Sequence, residues 1–119
     1  MDRNEVRMKI AVATDGEGGL DAIVATDFGR GETFTLVEVE GEAIVSVQVV
    51  ANEGRRMAQG AGIAAAEQVL EEGVDAVAGG HFGPHGEEIF REEGIDLVYI
   101  PKVTAREAVE RYLAHLKGA

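Results

Sequence analysis

The chain has 119 residues, with 22 acidic against 11 basic side chains, no cysteine and a formal net charge of −11. That length suits one compact domain with its own core. The lack of cysteine excludes disulfides, and it excludes protein thiolates as ligands to zinc or an iron–sulfur cluster. The negative charge opposes nucleic acid and anionic membrane surfaces, which require a basic footprint.

Hydrophobic residues make up 45% of the chain, a globular proportion, and no apolar run approaches the roughly 20 residues of a membrane helix. The opening "MDRNEVR" is polar and lacks the apolar centre of a signal peptide, so the cytoplasm is the expected location. Abundant glutamate with scarce asparagine and glutamine suits a thermophile.

Residues 1–7 read as a polar extension ahead of a domain at 8–119, with Met8 as an alternative start. "MKIAVATD" (8–15) accumulates apolar residues as a strand buried on both faces does. "GEGGLDAIVATDFGRGE" (16–32) is a long glycine-rich excursion, a kind of segment usually functional or mobile. "TFTLVEVE" (33–40) alternates, which predicts a strand with one polar face; Gly41 turns the chain, and "EAIVSVQVVAN" (42–52) returns as its hairpin partner.

"QGAG" (59–62) opens a helix whose face carries Ile63, Ala66, Val69 and Leu70, with Gly73 as its stop. "VDAVAGG" (74–80) is a short buried strand that empties into "GGHFGPHG" (79–86). "PHGEEIFREEG" (84–94) is a helix with Pro84 in its first turn and Gly94 at its end, and "IDLVYI" (95–100) is a strand. Thr104 caps a last helix, with Glu107 three positions later and Val109, Tyr112, Leu113 and Leu116 toward the core. No internal repeat and no linker to a second domain is visible.

The order β, loop, β-hairpin, α, β, α, β, α predicts a single three-layer α/β/α domain. Its mixed five-stranded sheet has the first, fourth and fifth strands parallel. Ligands of open sheets gather beyond the carboxyl ends of the strands. The loop after the first strand and the 79–86 turn both leave from that edge, so they are expected to be neighbours.

His81 and His85 are four apart, but Pro84 and the glycines argue against a helical pair. A metal would need the turn's own geometry, with Asp15 or Asp27 supplying oxygen ligands. The plainer alternative is that both imidazoles hydrogen-bond the turn or face water. Gly60 and Gly62 permit close backbone approach at a helix N-terminus that favours an anion, or they only let the helix sit tightly on the sheet. No Gly-Lys-Ser/Thr follows, so this is not a Walker loop. Arg30 offers positive charge to an anion, or an ordinary ion pair to Glu32; Arg55 and Arg56 are similar candidates. Asp15 ends its strand where a two-metal nuclease places one carboxylate, but Asp75 begins its strand, at the wrong edge.

"MKIAVATD", "DFGR" (27–30) before a hairpin, "GAGIAAAEQVLEEGVDAVAGGHFGP" and "TAREAVERYL" together resemble the dinitrogenase iron–molybdenum cofactor biosynthesis family, the domain of NifX-, NifY- and NifB-associated proteins. The resemblance spans residues 8–117. It implies a ribonuclease H-like fold and a non-enzymatic role in binding or carrying an iron–sulfur cluster, the iron–molybdenum cofactor or a precursor, alongside cofactor-assembly proteins. The family often has histidine where this chain has Asp27, and "GGHFGP" resembles its Gly-His-x-Gly-Pro turn, which implies a ligand role for His81 and a weaker one for His85. The candidate cofactor residues are therefore Asp15, Asp27, Phe28, Gly29, Arg30, Gly60, Gly62, Gly80, His81 and Gly83, with His81 and His85 as candidate metal ligands. Two other readings of the same residues are a sensor of a small anionic ligand or an interaction module, and a ribonuclease H-like hydrolase.

Overall fold

Strand β1 (Arg7–Thr14) occupies the centre of the sheet, with Ala11 and Ala13 on one face and Ile10 and Val12 on the other. Such a strand has both faces covered, as its unbroken apolar run requires. The computed structural model describes residues 7–118. Most of the expected polar extension lies outside those residues, and Arg7 itself already belongs to β1, opposite Glu40.

The remaining elements are β2 (Thr33–Glu40), β3 (Ala43–Ala51), α1 (Ala61–Leu70), β4 (Ala76–Gly79), α2 (Pro84–Glu92), β5 (Asp96–Tyr99) and α3 (Ala105–Gly118). A single 3-10 turn, Phe28–Arg30, interrupts the long first loop. The strand order is β3-β2-β1-β4-β5. β1 runs antiparallel to β2; it runs parallel to β4, and β4 to β5, as the element order predicts.

Helices cover the sheet on both sides. α1 and α2 bury Ala65, Ala66, Val69 and Phe90 with Phe34, Leu36 and Val77 in one core layer. α3 buries Ala105, Ala108, Val109 and Tyr112 with Ile10, Val12, Val37 and Val39 in the other. Thr104 caps α3 by accepting a 3.2 Å hydrogen bond from the Glu107 amide.

Three expectations need correction. β2 has no polar face: Phe34 and Leu36 enter one layer, Val37 and Val39 the other, and Thr35 is fully buried. An interior strand with a helix layer on each side has no solvated face to offer. Thr35 is satisfied there by hydroxyl contact with Thr14 at 3.0 Å and by the Gly19 amide at 2.9 Å. Leu116 does not reach the core and stays 43% exposed beside β5, at the edge of the sheet. Ile63 is only half-buried; Ala65, with the expected Ala66 and Val69, takes the innermost places on α1.

The glycine-rich excursion is also better anchored than its composition suggests. Val24, Ala25 and Phe28 are buried, and backbone bonds tie Val24 to Val103 and Ala25 to Ala13, each at 2.8 Å.

Candidate functional site

The first loop and the 79–86 turn meet, as the shared sheet edge predicts. The Phe28 amide donates to the His81 carbonyl at 2.9 Å, and the Gly80 amide donates to the Ala25 carbonyl at 3.0 Å. Phe28 stacks on Phe82 with ring centroids 4.9 Å apart, and both rings pack on Phe90. Each loop thus supplies one aromatic anchor to the other, worth about 0.5–1.5 kcal/mol beyond area burial. Gly80 permits the approach: a Cβ there would sit 2.7 Å from the Thr26 carbonyl oxygen.

The "DFGR" segment is wedged between that turn and the start of α1. A Cβ on Gly29 would lie 3.0 Å from the Gly62 Cα, so backbone packs on backbone. Asp27 caps the 3-10 turn, its Oδ1 accepting from the Gly29 amide at 3.2 Å. Arg30 does not pair with Glu32. Its guanidinium donates to the carbonyls of Arg55 at 2.8 Å and Met57 at 2.7 Å, while Glu32 lies 3.9 Å from Arg55. Arg30 therefore uses one guanidinium nitrogen, Nη1, to hold the 53–59 loop.

Asn52, which the sequence reading passed over, is the hub of this arrangement. It is 4% exposed, its Nδ2 donates to the carbonyls of Gly29 and Gly31 at 3.1 and 3.0 Å, and its Oδ1 accepts from the Gly54 amide at 3.1 Å. A buried side-chain amide has few ways to be fully satisfied, and here it joins the loop after β3 to the loop after β1. Gln68 on α1 extends the link, accepting from Glu53 and donating to Ala51. The available signal was an asparagine following directly on a β-branched strand, where a turn-forming side chain is expected.

These contacts bring the first turns of two helices to one small cleft. It measures about 140 Å³ and is walled by Gly60, Gly62 and Ile63 of the α1 start and by Gly83, Pro84, His85 and Gly86 of the α2 start. Gly60 adopts φ 79°, the left-handed region that glycine enters without strain, and turns the chain into α1. Neither helix has a side-chain cap. The first-turn N–H groups have no acceptor within their own helices, and both helix dipoles place positive charge at this spot.

The candidate residues therefore separate by position. Gly60, Gly62, Gly83 and His85 form the cleft wall. Phe28 and Gly29 are buried behind it, and Gly80 supports the turn. His81 is exposed and does not line the cleft; it lies near Glu87, whose carboxyl is held below the usual range. The main cause of that lowering is the Tyr99 hydroxyl, which donates to Glu87. Asp15 is exposed at the end of β1, its amide bonded to the Ile23 carbonyl, and shares no hydrogen bond with the cleft. Among the described residues, no three His, Asp or Glu side chains converge as a metal site, so neither Asp15 nor Asp27 completes a ligand set with the two histidines. Asp75 caps the opposite edge of the sheet, accepting from the Lys9 amide.

The sequence model described as dinitrogenase iron-molybdenum cofactor matches residues 8–115. An uncharacterized protein of Methanocaldococcus jannaschii is 28% identical over 106 residues, covering 89% of this chain and 86% of its own length. The apo form of the orange protein from Desulfovibrio gigas superposes with a TM-score of 0.79 and 31% identity, over 91% of this chain and 88% of that one. A Thermotoga protein described as NifB shares the fold at a TM-score of 0.72 and 22% identity, over 93% and 89% of the two chains.

Proposed function

Because this chain belongs to the dinitrogenase iron-molybdenum cofactor family, we propose that it binds and carries a compact anionic metal cofactor in the cytoplasm. The cargo is an iron–sulfur cluster, the iron–molybdenum cofactor or a precursor of it, exchanged with cofactor-assembly proteins and not chemically transformed by this chain. The observation that carries the reading is the cleft onto which two uncapped helix N-termini open, with His85 in its wall.

The donor set fits such a cargo better than a bare ion. A chain without cysteine, and with one imidazole at the cleft, cannot wrap a metal in protein ligands. A cluster that brings its own sulfides needs only hydrogen-bond donors and a local positive field, both supplied by the helix starts. The volume points the same way: about 140 Å³ is small beside the roughly 300–1,000 Å³ of organic-ligand pockets. Its backbone-lined wall suits an inorganic anion seated at the mouth.

A chain with net charge −11 repels an anion at long range. Binding by this route is therefore short-ranged, and the backbone donors at the helix starts supply it. His85 contributes either a nitrogen ligand or, when protonated, another donor. The ribonuclease H-like label implied by the resemblance does not by itself argue for a hydrolase, since among the described residues no three acidic or histidine side chains gather at the Asp15 end of β1 to hold a metal.

The test is anaerobic reconstitution with iron, sulfide and molybdate, followed by metal analysis of the desalted protein. Retention of iron or molybdenum by wild type, reduced in His85→Ala, supports the carrier reading. Retention of molybdate or phosphate alone, with no iron, favours the small-anion reading of the same cleft. Retention of none of these overturns both.

A further inference from the structure

Strand β3 forms one margin of the β3-β2-β1-β4-β5 sheet, with no strand on its outer side. Its ladder with β2 runs on to Asn52, whose amide donates to the Glu32 carbonyl at 3.1 Å. Antiparallel pairs alternate between bonded and non-bonded, so Ser46, Gln48 and Val50 also turn their polar backbone groups toward β2. Val47, Val49 and Ala51 turn theirs outward. Gln68 closes that outer side at Ala51, donating to its carbonyl at 2.7 Å.

Sheet edges are kept from pairing by shortness, charge or proline. β5, at the other margin, has all three: four residues, Asp96 at its start and Pro101 just beyond it. β3 is nine residues long, "AIVSVQVVA", with no proline and no charged side chain. Val45, Val47 and Val49 are 47%, 40% and 39% exposed, three of the seven large apolar side chains that stay exposed among the described residues. Val47 and Val49 stand opposite Val37 and Thr35, on the α3 side of the sheet. Val45 is the extra residue where the register shifts, a bulge that adds twist near the hairpin but no charge.

We propose that β3 pairs with β3 of a second copy of this chain, antiparallel about a two-fold axis at Val47, which joins the two sheets into one of ten strands. The sequence selects this occupant. In a two-fold contact one patch meets itself, so the patch must be self-complementary. Val45-Ser46-Val47-Gln48-Val49 reads apolar, polar, apolar, polar, apolar from either end. Pairing about Val47 sets Val47 against its counterpart, Val45 against Val49, and Ser46 against Gln48, whose side chains can hydrogen-bond. No like charges meet along it. Glu38, opposite Ser46 on β2, lies one strand further in. Its counterpart is then three strand spacings away, about 14 Å, beyond the Debye length of about 8 Å at physiological salt. Of the acids that flank the strand, Glu42 is paired with Lys117, and Glu53 is followed by Arg55 and Arg56. The proposal rests on the sheet edge and not on the cofactor reading.

Sedimentation equilibrium of the full chain is expected to show the mass doubling between micromolar and millimolar protein and stopping there. Added sodium chloride should strengthen the dimer, because it screens the repulsion between two chains of net charge −11. Amide exchange should slow at Val47 and Val49 as concentration rises, while Gln48 and Val50, bonded to β2, stay protected throughout. Val47→Lys and, separately, Val45→Lys should weaken association at least about tenfold, with the melting temperature in dilute solution unchanged. The chain has no cysteine, so single-cysteine variants oxidised with diamide report the contact directly. Val47→Cys should link into a dimer, its facing Cα atoms being about 5.5 Å apart and within disulfide reach. Leu116→Cys, exposed at the other margin, should not. A monomer at millimolar protein, a dimer without slowed exchange at Val47 and Val49, or equal linking by Leu116→Cys would each overturn the proposal. So would growth past the dimer, which would make β3 an open-ended aggregation edge.

Discussion

His81 and His85 differ in what surrounds them, and the difference reverses their order of interest. His81 carries the family's Gly-His-x-Gly-Pro pattern, and both imidazoles are exposed, but only His85, in the first turn of α2, lines the cleft. His85→Ala is expected to lower retained iron per protein more than His81→Ala, with both melting within about 0.5 kcal/mol of wild type, as exposed substitutions do. Metal analysis beside thermal melts checks this, and equal retention by His85→Ala would remove the imidazole from the proposed site. Asp27→His should do two opposed things. It removes a carboxylate near an anionic cargo, favouring retention, and it deletes the cap on Gly29, at a cost of roughly 1 kcal/mol. Asn52→Ala should be the most damaging of these variants, because it strands two carbonyls and an amide inside the protein. A loss of at least about 2 kcal/mol in a denaturant melt is expected, and Asn52→Asp should not rescue it, since a carboxylate cannot donate to Gly29 and Gly31.

At the level of elements, the hydrophobic periodicities located every strand and helix, because burial on one or two faces is a local signal. The β2–β3 hairpin and the parallel run of β1, β4 and β5 also followed from the order of elements alone, whereas the antiparallel pairing of β1 with β2 did not. What composition misjudged was the first loop. Five glycines among residues 16–31 suggested mobility, but Phe28 is spaced to reach Phe82 across the sheet edge, and such pairing over more than fifty residues leaves no local trace. Hydrogen exchange should therefore find the amides of Val24, Ala25 and Phe28 protected nearly as well as those of β1. Exchange as fast as that of an exposed turn would mean that the aromatic anchor does not hold. Arg30 and Asn52 were illegible for the same reason, since their partners are backbone atoms that only the folded chain brings near. The α3–β5 contact gives a pH test. Burial, then the hydrogen bond to Asp96, raises the Tyr112 phenol above the ordinary tyrosine range, and the bond to Glu87 raises Tyr99. Above about pH 10 the unfolded chain loses these protons while the folded one retains them. The stabilisation is thus complete below that pH and falls as pH rises toward the folded values. Tyr112→Phe should flatten the alkaline decline of the melting temperature, and an unchanged decline would show that Tyr112 does not govern it.

For the whole molecule, the cleft and the loops that support it come from distant parts of the chain: residues 60–63 and 83–86 form its walls, and residues 27–31 and 52–54 pack and bond behind them. β1, emerging first, must wait for β2 on one side and for β4, with Ile10 against Ala76, on the other. During synthesis a nascent chain can form the β1–β2–β3 meander early, since those partners follow one another closely. It cannot close the cleft until Phe82, Pro84 and His85 have left the ribosome and β4 has entered the sheet. At about 5–20 residues per second that interval lasts only seconds, but it sets an order of events: the cleft closes only with completion of the fold. A chain stopped before residue 79 has the whole "DFGR" segment and no place to seat a cargo. On the carrier reading, topology alone keeps metal clusters from half-made protein.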